Sequence, residues 1–111
     1  MAPRPLALLL ALLSASLSAE VRDLKAFFQQ RCASCHGPDG SGRGPGGALG
    51  GSNLLDSRRL AGQEAADLAG IILQGRGAMP GFRRQLSQEE ALKLAKDILR
   101  RAGKGRAAQA G

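Results

Sequence analysis

The chain has 111 residues, room for one domain, and carries 16 Lys and Arg against 9 Asp and Glu for a formal charge of +7. There is no Trp or Tyr, and the only aromatics are Phe27, Phe28 and Phe82. The cations are scattered and lack the interleaved aromatics on which bases stack. Nucleic acid is therefore set aside in favour of an acidic protein partner. A domain this small is marginal on apolar burial alone, so something besides side chains is expected to fill its centre.

Residues 1–19 read as a secretory signal peptide. Arg4 precedes the apolar run Leu6–Leu13, and small residues follow through Ser16-Leu17-Ser18-Ala19. The run is shorter than the roughly 20 residues a bilayer span needs, and no other stretch of the chain is a candidate. Beyond Ala19, fifteen basic residues face nine acidic ones.

From Val21 to Arg31, Leu24, Phe27 and Phe28 recur at three- and four-residue spacing, with Asp23 at the start as a cap. This predicts a helix, and it leads into Cys32-Ala33-Ser34-Cys35-His36. Two thiols three positions apart with an imidazole directly after them form the pattern of a c-type haem attachment site. The spacing lets one short turn reach both vinyl groups and places His36 beneath the iron as proximal ligand. A disulfide between Cys32 and Cys35 would close only a tiny loop. A thioredoxin-like motif would need a βαβ setting, and no strand pattern supplies one. A zinc site would need four ligands, normally Cys or His, and the chain has two Cys and one His.

Eight of residues 37–51 are glycine, which predicts loop rather than regular structure. Gly42-Arg43-Gly44-Pro45-Gly46-Gly47 matches G-x-G-x-x-G but follows no strand, so a dinucleotide site is rejected. Pro45, nine residues after His36, is expected to hold its carbonyl rigidly as acceptor for the imidazole N–H. A second helix is expected over 63–74, with Leu68, Ile71 and Ile72 buried and Gly75 ending it. Met79, the only methionine after Met1, stands in the following glycine-rich loop beside Pro80, an unusual place for core filler. Its thioether is read as the sixth iron ligand. Ser87-Gln88-Glu89-Glu90 is a capping box. It opens a last helix whose stripe is Ala91, Leu92, Ala95, Ile98 and Leu99, with Leu94 at the edge. Residues 103–111 show no periodicity and read as a flexible basic tail.

Taken together, Cys32-x-x-Cys35-His36-Gly37, Pro45, Gly75-x-Gly77-Ala78-Met79-Pro80-x-Phe82 and Leu86-Ser87-x-Glu89-Glu90 resemble the class I monohaem cytochromes c of the small bacterial kind. The resemblance covers residues 21–101 within a domain set at 20–102. It implies an all-α cytochrome c fold, three to four helices around one haem c held through Cys32 and Cys35, with His36 and Met79 on the iron. It also implies a periplasmic electron-transfer protein cycling between Fe(II) and Fe(III), not itself an enzyme, that docks with redox partner proteins. The alternative is a haem c subunit of a periplasmic oxidoreductase complex, a dehydrogenase or a sulfur-oxidising system. The chain departs from relatives at the crossing of the terminal helices, where Leu24 and Asp97 replace a glycine and an aromatic, so a wider or rotated crossing is expected. Arg58, Arg59, Ser52 and Asn53 are all candidates for holding a propionate.

Overall fold

The computed structural model describes residues 23–110. The expected signal peptide, and the expected helix start at Val21 and Arg22, lie outside the described residues. Asp23 opens the first helix, its carboxylate accepting from the Lys25 and Ala26 amides at 3.1 and 3.2 Å, so two of the helix's unpaired donors are satisfied. Helix α1 (Leu24–Phe27) passes without a break into a π-helical turn (Phe28–Cys32) and then α2 (Ala33–His36). In the π turn the Ala33 amide donates to Phe28 O, one residue further back than in an α-helix. Two successive rings, Phe27 just before this turn and Phe28 at its start, are each 4% exposed. Such turns are rare and concentrate at functional sites. Gly37, at φ 85°, ends α2.

The glycine-rich stretch is not wholly irregular. Strands β1 (Arg43–Gly44) and β2 (Gly47–Ala48) pair antiparallel around Pro45 and Gly46. Proline suits the second position of a turn because its φ is already set, and the strands are too short to alternate, which is why no period-two pattern announces them. A short helix α3 (Ser57–Leu60) follows, capped by Asp56 through the Arg58 and Arg59 amides. Helix α4 (Ala65–Gln74) ends at Gly75, as expected. Helix α5 (Gln88–Ala110) begins at the reciprocal cap, with the Glu90 amide on Ser87 Oγ at 3.1 Å and the Ser87 amide on Glu90 Oε1 at 2.9 Å.

The helix itself runs on through Ala110, past the expected periodic stretch. Ala107, Ala108 and Ala110 are strong helix formers, and an established helix adds residues without a new nucleus. One expectation about α5 needs correction. The buried stripe is Ala91, Leu94, Ala95, Ile98 and Ala102, whereas Leu92 and Leu99 lie at its margins. Leu94 is therefore central, because the stripe follows alternating three- and four-residue steps.

The described chain is mostly helical. Its core joins Phe27, Phe28, Leu60, Ala69, Ile72, Phe82 and Leu86 to the inner face of α5. Phe27 and Phe82 meet edge to face, 5.4 Å between centroids at 84°. Helix α5 packs chiefly on α4 and α3. Between α5 and the first helix lies a groove of about 430 Å³, lined by Leu24, Phe28, Leu94 and Asp97 among others. It lies where Leu24 and Asp97 were expected to widen the crossing. Arg101 bridges part of it, placing its guanidinium 5.9 Å from the Phe28 ring centre and pairing with Asp97 at 3.1 Å.

Candidate functional site

The two thiols and the imidazole emerge from one helical stretch, and their environments differ. Cys32 is half-buried and packs against the core, while Cys35 is exposed, and neither forms a disulfide. Burial pushes the Cys32 thiol up to about 11, because a thiolate there would lose its hydration. A thioether carries no ionisable proton and suits that position.

His36 is half-buried, and its Nδ1 lies 2.9 Å from the Ser52 carbonyl oxygen. A carbonyl only accepts, so Nδ1 carries the proton and Nε2 is the nitrogen left to bind a metal. This corrects the expectation for Pro45, which sits exposed at the hairpin tip. The hairpin reverses the chain, and it is the returning segment Gly51-Ser52 that reaches the imidazole. Gly51 donates to Cys35 O at 2.8 Å, and Gly42, earlier in the loop, donates to His36 O at 2.5 Å. The loop thus caps the carbonyl end of α2 while supplying the histidine's acceptor.

Met79 lies in a loop closed on the C-terminal end of α4. Helix ends leave carbonyls without helical partners. Here Gly75 N–H donates to Ile71 O at 2.7 Å, Phe82 N–H to Ile72 O at 2.9 Å and Arg83 N–H to Leu73 O at 3.1 Å. Between those anchors Arg76 and Met79 exchange two backbone hydrogen bonds, each 3.0 Å. Met79 is half-buried and packs against the same core cluster as Cys32.

The donor chemistry fits a haem. An imidazole nitrogen and a thioether sulfur are ligands of haem iron rather than of a hard cation. No group of three or more His, Cys, Asp or Glu that could hold an ion stands together among the described residues. The four ring nitrogens of a haem would supply the donors that an imidazole and a thioether do not. Of the propionate candidates, Arg58 and Arg59 are exposed on α3, and Asn53 Oδ1 is already engaged by the Leu55 amide at 2.9 Å. Ser52, expected only as a propionate candidate, instead offers its backbone carbonyl to His36, and Gly51 beside it is a residue of the site that its side chain could not announce. The one signal available was the dense glycine run ending at Gly51.

Residues 19–96 match the family described as cytochrome C oxidase, cbb3-type, subunit III. The chain is 31% identical over 90 residues to cytochrome c6 of Synechocystis sp., covering 81% of this chain and 72% of that one. It is 28% identical over 109 residues to cytochrome c6 of Thermosynechococcus vestitus, covering 90% and 87% respectively. Among solved structures, the KustC0563 c-type cytochrome is similar at a TM-score of 0.58 and 26% identity, over 72% of this chain and 98% of that one.

Proposed function

We propose, from the premise that this chain belongs to the c-type cytochrome family, that it is an exported one-electron carrier with His36 and Met79 as its axial ligands. One haem c is bound covalently, and Cys32 and Cys35 are the cysteines present to hold it. When bound, that haem supplies the one-electron couple.

The chain's own residues hold, orient and shield. The observation that carries the reading is the Nδ1–Ser52 hydrogen bond, which frees Nε2 for metal and fixes the ring's tautomer and direction. Met79, with its backbone tied at both sides, offers sulfur from a loop that cannot easily drift. With His36 and Met79 both holding the iron, no position would be left for a substrate, which favours carriage over catalysis. Phe27, Phe28 and Phe82 keep water from the core the site adjoins. Arg76, Arg83 and Arg84 stand exposed around the methionine loop and would complement an acidic docking face on a redox partner. Export to the periplasm rests on the signal-like residues 1–19. No helix among the described residues is long and apolar enough to cross a membrane.

The test is the rate of electron exchange with an acidic redox protein across a salt series. It should fall steeply as salt rises; a flat response would remove the steering role assigned to the arginines. The second reading, a haem subunit of a periplasmic oxidoreductase complex, draws on the family description, which names an oxidase subunit. Co-purification with a stoichiometric catalytic partner would favour it over a free shuttle.

A further inference from the structure

We infer that Gly51 is a positioning residue for the axial imidazole, holding the Ser52 carbonyl on His36 Nδ1 through contact between two backbones. The inference rests on the reading of His36 as an iron ligand and goes beyond it to how the ring is tuned. Ser52 is not proline, so no ring of its own fixes the acceptor carbonyl. The constraint comes from the preceding residue. Gly51 N–H donates to Cys35 O at 2.8 Å, and a Cβ on Gly51 would lie 2.4 Å from Cys35 O, 2.6 Å from Cys35 C and 2.9 Å from His36 N. Those are backbone atoms and cannot swing aside. Gly42 presses from the other side, where an added Cβ would come 2.7 Å from Gly51 O.

Gly51 is not among the glycines at positive φ, so alanine there meets no backbone penalty of its own. Its only obstacle is the contact with Cys35 and His36. Gly51→Ala therefore isolates that contact: relieving it pushes the 51–52 segment away from α2 and draws the Ser52 carbonyl off Nδ1. An imidazole that loses this acceptor is a less basic ligand, which disfavours the ferric state.

The experiment uses the haem-loaded full chain. Gly51→Ala should shift the reduction potential upward and speed exchange of the His36 Nδ1 proton about three- to tenfold, the range expected for losing one net hydrogen bond. Pro45→Ala, at the exposed hairpin tip, leaves the Ser52 carbonyl in place and should change neither. Should Gly51→Ala yield no holoprotein, the unsubstituted protein still decides. Its Gly51 amide and Nδ1 protons should exchange through one shared opening with the same denaturant dependence. An Nδ1 proton that exchanges independently of Gly51, or a Gly51→Ala protein with unchanged potential and exchange, overturns the inference. A His36 ring without the large spectral displacement of an iron ligand would instead overturn the axial assignment, so the two failures are told apart.

Discussion

Gly75→Ala tests whether the methionine loop is held by its own backbone. Gly75 sits at φ 81°, ψ 169°, a region open almost only to glycine, and a side chain there costs on the order of 1–3 kcal/mol. An added Cβ would also meet Gly81 N and Met79 O at 2.7 Å and Pro80 C at 2.9 Å, an overlap costing about another 1–3 kcal/mol if nothing moved. The loop has a cheaper escape. Giving up the Phe82–Ile72 and Arg83–Leu73 hydrogen bonds costs about 1 kcal/mol each, so the destabilisation should level off near 2–3 kcal/mol with the loop swung outward. The observable consequence is loss of Met79 from the iron while the domain stays folded. Chemical denaturation of the ferric holoprotein, read alongside its visible spectrum, measures both. Gly77→Ala is the control: at φ 57° with nothing within 4 Å of the added carbon, it carries only the left-handed backbone cost of roughly 1–2 kcal/mol and should keep the ligand. A Gly75→Ala protein with unchanged midpoint and spectrum would refute the reasoning.

Other substitutions probe other parts of the frame. Gly70 lies inside α4 with open space around it, so Gly70→Ala should stabilise by about 0.5–1 kcal/mol, raising the melting temperature by roughly 2–8 °C. Phe82→Leu keeps an apolar, somewhat smaller side chain but removes the edge-to-face contact with Phe27; at least about 1 kcal/mol should be lost, and a neutral result would show that the rings merely fill space. Cys35→Ala should give a chain that keeps haem through Cys32 alone or accumulates poorly as holoprotein, read by haem staining of a denaturing gel. One freed vinyl should also shift the haem's reduced pyridine spectrum to the red, and a spectrum unchanged from the unsubstituted protein would contradict attachment through Cys35.

What was legible in the sequence was what side chains announce. Asp23, Ser87 and Glu90 cap helices because their oxygens match the free amides, and that chemistry is written in residue type. Cys32, Cys35 and His36 share one turn because their spacing leaves no alternative. Met79 stood out because it is a lone methionine in a glycine-rich loop, although its side chain also packs against the core. The histidine's acceptor was hidden for the opposite reason: every residue has a carbonyl, and nothing in Ser52 distinguishes its own. Pro45 looked better placed because rigidity is visible in sequence, whereas the hairpin that carries it away from His36 is made by backbone pairing of glycines. Leu94 and Leu92 exchanged places because residues two apart point to roughly opposite sides of a helix, and it is Leu94 that joins the buried stripe. The π-helical turn lay beyond reach, since it is set by which carbonyl the Ala33 amide selects.

The central claim is that His36 and Met79 close the iron from both sides, and the visible spectrum of the ferric holoprotein tests it most directly. The ferric protein should show a low-spin spectrum with the weak red-end band of sulfur ligation, and Met79→Ala should lose that band while retaining haem. A high-spin spectrum in the unsubstituted protein, or a Met79→Ala spectrum indistinguishable from it, would rule out that closure.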